Sequence, residues 1–416
     1  MSELQDVPVL SFRHDTDEEV LRDPFATWDR LRNEHAIFRS DQADHGVVFL
    51  MGHDQQHRAL HDPKTFSSRS VSPDFKTEAG EGGTNVLGGG FMLIPAQLDP
   101  PEHTAYRLLL NPLMTPARVR ALEERARALC NQLIDDFAGG DTVEFVAQFA
   151  RRFPTTIFME MMGLPTDSAD VFLSWIDELM HTSSDLSIEG PERVRRSQEA
   201  ASSIFDYLGK LLEDHRANPK DDIVGYLLSC EIAERPLTQQ ELLQICFMLY
   251  MAGLDTVAGT LGYFIWHLAT HAEDRRRIVE QPSLIPGAVE ELLRYYSVVT
   301  TVREVAEDGE FMGCPIHKGE RVIFPFASSN RDPAEFDAAD EVNIERYPNR
   351  HMAFGAGPHR CLGSHLARME LRVALEEWHK RIPDYEVVEP DSLRHHVLSV
   401  SGLVSLPLRL QGIRAG

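Results

Sequence analysis

Cysteine is scarce in this chain and shows no pairing pattern. Five are present, Cys130, Cys230, Cys246, Cys314 and Cys361. Their number is odd and no two stand at C-x-x-C spacing, which argues against a disulfide framework or a cysteine zinc site and favours a reducing compartment. Positive charge is also short. Against 65 Asp and Glu there are 41 Lys and Arg, a formal charge of −24. That balance argues against non-specific nucleic-acid binding, and any acidic partner must meet a local basic patch. Met1-Ser2-Glu3-Leu4-Gln5-Asp6 has neither a basic n-region nor an apolar h-region, so no signal peptide and a cytoplasmic location are expected. No repeat period or low-complexity linker stands out. Gly80–Gly90 is glycine-rich but lacks G-K-[ST], and reads as a surface or lid loop rather than a phosphate loop.

What is present suits a large soluble core: 43% hydrophobic and 25% charged residues over 416 positions, read as a single domain spanning residues 1–416. Helical periodicity dominates, over about 24–34, 53–61, 102–113, 117–138, 143–162, 168–181, 191–217, 221–231, 238–270, 272–280, 284–296 and 363–381. Alternation predicts a smaller β-rich part including about 36–51, 303–326 and 385–410. The fold class is therefore mainly α with small β-sheets. Leu242–Ala269 is strongly apolar, yet Asp255, Thr256, Thr260 and His267 interrupt it, so a buried central helix is the better reading than a membrane span. Polar Asp255-Thr256 directly after Ala252-Gly253-Leu254 points to a local opening of that helix beside a cavity.

The stretch Phe354-Gly355-Ala356-Gly357-Pro358-His359-Arg360-Cys361-Leu362-Gly363 delivers one cysteine to the start of a long amphipathic helix. A thiol there feels the positive end of the helix dipole, which favours the thiolate. By itself the loop allows a metal ligand, a nucleophile or a buried thiol.

Three separated motifs then agree: the cysteine loop, Ala252-Gly253-Leu254-Asp255-Thr256, and Glu291-Leu292-Leu293-Arg294. In this order they resemble the cytochrome P-450 family of haem-thiolate monooxygenases over essentially the whole chain. The loop fits F-x-x-G-x-x-x-C-x-G without mismatch. Ile94-Pro95-Ala96-Gln97-Leu98-Asp99-Pro100-Pro101-Glu102-His103 is similar to the soluble bacterial branch, that of camphor monooxygenase and its relatives.

The resemblance implies that haem b lies between the central helix and the cysteine-loop helix. Cys361 would be the axial iron ligand, with Phe354 shielding the sulfur and His103, Arg107, Arg303 and His359 meeting the propionates. It assigns Asp255 and Thr256 to proton delivery during oxygen activation, and Glu291, Arg294 and Arg346 to a structural ion-pair network. By analogy the substrate pocket draws on Phe91, Met92, Leu93, Met248, Met251, Ala252, Val298, Val299 and Val400. An apolar wall of this kind favours a small to medium hydrophobic, terpenoid-like substrate. No flavin or iron–sulfur module is fused, so a 2Fe-2S ferredoxin with its reductase is the expected donor, docking on a patch drawn from Arg107, Arg368 and Arg372, with Arg350.

Two alternatives keep the fold: a non-catalytic haem-thiolate sensor and an H2O2-driven peroxygenase. The intact acid–alcohol pair argues against both. His53, His57 and His61 recur at four-residue spacing and offer a metal-binding helix face, but Asp54 stands where H-E-x-x-H needs glutamate, which argues against a zinc hydrolase.

Overall fold

The computed structural model describes residues 7–41, 47–69, 92–181 and 188–414. Helices form the body, and the apolar periodicity explains which face each one buries. The central pair, Gln239–Leu254 and Thr256–Thr270, is a long and strongly apolar stretch. It starts at a capping box, where the Thr238 hydroxyl accepts from the Glu241 N–H and the Glu241 side chain accepts from the Thr238 N–H. Among the described residues this is the one helical stretch long and apolar enough to cross a membrane. Its Leu242, Ile245, Phe247, Leu254, Leu261, Phe264 and Leu268 are all buried in the protein core.

The cysteine helix Ser364–Arg381 packs along Pro116–Phe137, burying Leu371, Leu375 and Trp378 beside Ala126, Cys130 and Leu133. A charged seam follows the apolar one: Arg127 is held by Glu123, Glu376 and Glu377, and Arg372 by Glu123 and Glu376.

The largest sheet has six strands in the order Val9–Leu10, Ile37–Ser40, Val47–Leu50, Arg321–Pro325, Thr300–Val305 and Phe66–Ser67. Its antiparallel centre places Val322 opposite Arg303 and Ile323 opposite Val302, which carries Arg303 inward. Residues near 385–410 do not join it. Asp384–Val387 pairs with Pro407–Gln411, which pairs with Thr142–Glu144. That last strand lies at the start of a stretch whose periodicity predicts helix over 143–162. Thr142 and Val143 are β-branched and follow Gly139-Gly140, and the Glu144 carboxylate accepts from the N–H groups of Val146, Ala147 and Leu406. The helical part begins only after that clamp, as a π-helical turn Val146–Ala150 followed by Arg152–Met162.

Candidate active site

The cysteine loop is folded back on itself. Gly355 and Gly357 take φ of 67° and 66°, the left-handed region that side chains resist. A Cβ at Gly357 would also lie 2.2 Å from the Leu60 carbonyl oxygen, so only glycine lets the loop lie against the neighbouring helix. The reversal lets the Cys361 N–H donate to the Phe354 carbonyl at 2.8 Å. The Arg368 guanidinium sits 4.4 Å over the Phe354 ring and is bound by both Glu290 oxygens at 2.6 and 2.8 Å.

Cys361 has accessible surface yet lies deep among protein atoms, so it opens to an interior space rather than to a packed core. The helix proper begins at Ser364, and burial pushes the Cys361 thiol up, outweighing the Gly363 N–H and Arg107, Arg360 and Arg368, which pull it down. The dipole argument alone predicts the reverse. A thiolate here requires a partner cation, since a coordinating metal deprotonates a thiol outright.

Beside the loop sits a cluster of basic groups; Asp99 acts on His103 and Arg303 but pairs with neither, being bound instead by the Ser67 hydroxyl and the Ser68 N–H. His103 and His359 lie with ring centroids 4.0 Å apart. Both ring nitrogens of His103 and Nε2 of His359 are buried without a hydrogen-bond partner. Arg303 is buried and donates only to Thr301 Oγ1 at 3.2 Å and the Val302 carbonyl at 2.7 Å. Arg107 donates to Asn111 Oδ1 and, at 2.6 Å, to the Arg360 carbonyl. Among the described residues neither arginine is paired with a carboxylate. Burial lowers Arg303 to about 10. Burial, then Arg303, His103 and Arg107, lower His359 to about 2. Unsatisfied donors around an open space are what a dianionic, carboxylate-bearing ligand requires, so these residues fit the two propionates of a haem.

The central helix breaks at Asp255, whose φ and ψ are −112° and −37°. Most residues of this helix are buried, but Ala252 is exposed, and Met248, Met251 and Thr256 are partly so. Their spacing of three and four residues draws one stripe along the helix, facing open space. Gly253 sits against Phe158, where a Cβ would lie 2.5 Å from the ring. The Thr256 hydroxyl makes a long 3.3 Å bond to the Ala252 carbonyl, and the Thr260 hydroxyl reaches the Thr256 carbonyl at 2.8 Å. Val299 and Val400 form an isolated antiparallel bridge, and Leu93 is buried nearby in sequence to exposed Met92. Phe91 lies outside the described residues.

Glu291 and Arg294, both wholly buried, meet through two hydrogen bonds of 2.9 and 2.8 Å. Arg346 Nε joins at 3.0 Å, Asn349 Nδ2 at 3.0 Å and the Asn343 N–H at 2.8 Å. Arg294 also donates to the Asn330, Ala339 and Glu341 carbonyls, so the pair fastens the segment leading to the cysteine loop.

Other sequence candidates are dispersed. His53, His57 and His61 stack along one helix, but among the described residues no group of three His, Cys, Asp or Glu converges on a metal position. Arg368 and Arg372 are engaged by Glu290, Glu123 and Glu376, so they offer less free positive charge than their spacing suggests. Both line a surface cleft of about 270 Å³ with Arg120, His365 and Met369, on the outer face of the cysteine helix and away from Asp255. Periodicity missed His181. It reaches Asp255 at 3.2 Å from 74 residues upstream, and no local pattern in the sequence signals that meeting.

The model of the cytochrome P-450 family matches residues 21–283 and 279–378. The chain is 35% identical over 354 residues to a probable cytochrome P-450 127A1 of Sinorhizobium fredii, covering 84% of this chain and 80% of that one. It is 36% identical over 299 residues to the mycinamicin IV hydroxylase/epoxidase of Micromonospora griseorubida, covering 71% and 74%. The crystal structure of CYP101J2 superposes with a TM-score of 0.85 at 29% identity, covering 98% of this chain and 99% of that one.

Proposed function

The chain belongs to the cytochrome P-450 family of monooxygenases, and we propose that it hydroxylates a small to medium hydrophobic molecule, terpenoid-like in preference, using O2 and two electrons from a ferredoxin and its reductase. The observation that carries the reading is the accessible stripe of Met248, Met251 and Ala252 ending in Asp255-Thr256 on an otherwise buried helix. A mycinamicin hydroxylase/epoxidase among the relatives supports hydroxylation as the reaction.

Haem b would be held by Cys361 and met by His103, Arg107, Arg303 and His359, and would supply the thiolate-supported iron chemistry that favours O–O cleavage. The chain's own residues do the rest. The Phe354 carbonyl fixes the Cys361 backbone, and the resemblance gives the Phe354 ring the part of shielding the sulfur from water. The apolar stripe excludes water from the substrate side, so protons must come through positioned groups. The Thr256 hydroxyl, held only by a long bond to Ala252, is free to turn and donate into the open space. Asp255 stands next to it as the acid that renews the proton. The exposed Arg360, beside an Arg107 shared with the propionates, supplies positive charge for an acidic ferredoxin, while Arg368 and Arg372 contribute less. We place the enzyme in the cytoplasm.

Spectral titration of the purified ferric protein with terpenoids, aromatics and fatty acids tests the substrate class. Terpenoids should displace the water ligand and shift the Soret band, and a flat response to all three would remove the apolar-pocket reading. Turnover with O2 and a ferredoxin system should exceed turnover with H2O2; the reverse order would make the protein a peroxygenase.

A further inference from the structure

The π-helical turn Asp177–His181 brings an imidazole against the buried end of the open stripe. His181 Nε2 lies 3.2 Å from Asp255 Oδ2, and its Nδ1 lies 3.1 Å from Asp177 Oδ1. Asp177 in turn is bound by Arg151. The four groups alternate in sign, and from Asp177 inward the exposure of the side chains falls: 40% for Asp177, 24% for His181, 7% for Asp255. We propose that His181 is the positioning residue for Asp255, an imidazolium that keeps the carboxylate ionised and joins it by hydrogen bonds, through Asp177, to the surface.

Among the described residues, His181 is the cationic group in contact with Asp255. Burial is the largest influence on Asp255 and acts upward; His181 reverses it and holds the acid at about 2. Burial works against the charge on His181 as well, but Asp255 and Asp177 together raise it to about 10. His396 stacks on His181 at 4.3 Å between centroids. Burial, reinforced by His181, holds His396 down at about 3, so it is a neutral neighbour. On the same turn Glu178 is taken by Arg196, and Arg151 reaches Asp255 only from beyond Asp177. Removing the imidazolium therefore leaves a carboxylate in a dry site with no adjoining cation among the described residues, and such a group takes up a proton.

The functional consequence rests on reading Asp255 as the acid of oxygen activation; its ionisation does not, and the two are tested apart. In the haem-loaded ferrous carbonmonoxy protein, which is diamagnetic, NMR of nitrogen-labelled histidine should show both ring nitrogens of His181 protonated at neutral pH. Infrared difference spectra at the same pH should show no carboxylic-acid band from Asp255. His181→Gln should gain that band, lose it again in His181→Gln/Asp255→Asn, and lose it on raising the pH, while His181→Lys should show none. A neutral His181 in the unmodified protein, or no band in a folded His181→Gln protein, overturns the proposal whatever the monooxygenase assay reads. If the proposal holds, coupling of reducing equivalents to product becomes pH-dependent in His181→Gln and stays flat in His181→Lys. Pronounced pH dependence in both variants would also overturn it.

Discussion

Replacing Glu291 by glutamine isolates the charge of one wholly buried side chain while keeping its shape. Every partner of Glu291 is a donor: Arg294 Nε and Nη2, Arg346 Nε, Asn349 Nδ2 and the Asn343 N–H. The amide of glutamine would set two further donors against them. Arg294, with no exposed surface, keeps its three carbonyl acceptors but loses its counter-charge. Breaking a buried pair in this one-sided way costs about 3–5 kcal/mol, an appreciable part of the ~5–15 kcal/mol that holds a typical domain together. That is a shift of about 10²–10⁴ in the ratio of folded to unfolded chains. Urea unfolding of the haem-loaded protein, followed by the carbon monoxide difference band, reads the loss both globally and at the cysteine loop. Glu291→Gln/Arg294→Gln should recover part of it, because both charges are then gone. A single-variant loss below about 0.5 kcal/mol, the scatter of ordinary surface changes, would refute the reasoning.

Thr256→Ala should leave haem loading and stability nearly unchanged, since its one long bond stabilises little, while diverting reducing equivalents to hydrogen peroxide; unchanged coupling would remove its assigned role. Gly357→Ala should cost at least about 1–2 kcal/mol from the left-handed backbone alone, more from the clash with Leu60, and lower the yield of haem-loaded protein in expression trials. Acid should unfold the protein in a window set by Asp255 and Glu290. Both are held at about 2, below the ordinary values of 3.8 and 4.5 for these side chains, so their stabilisation is present above those values and is lost as pH falls through about 2. His181 works in the opposite direction. Its contribution is complete below 6.5 and is lost as pH rises through about 10; urea midpoints against pH should lose that alkaline limb in His181→Gln.

The fold was legible where one face of a helix is consistently apolar, as in Ser364–Arg381, because the burial pattern is local. The central break was legible too, since glycine and a threonine hydroxyl compete with the helix at the point where it opens. Thr142–Glu144 was not, because its pairing with Pro407–Gln411 is settled by residues more than 260 positions away. The basic cluster was found through motif resemblance rather than pattern: His103, Arg303 and His359 each look like ordinary surface residues until the β-sheet register turns Arg303 inward. The commitment of Arg368 to Glu290 and of Arg372 to Glu123 escaped for the same reason, as those acids come from other helices.

The cluster of His103, Arg107, Arg303 and His359 has a consequence for the life of the chain before its cofactor arrives. Two buried or half-buried arginines, beside imidazoles that burial keeps neutral, cost the fold stability on their own, and a dianion that binds them would return it. Maturation and folding are then one equilibrium, in which stability grows with free haem as the logarithm of its concentration. Chains made when iron is short stay closer to the unfolded ensemble and are cleared by proteolysis first. The stability of the chain should therefore rise with the haem supply, through the two arginines and two imidazoles that meet the propionates.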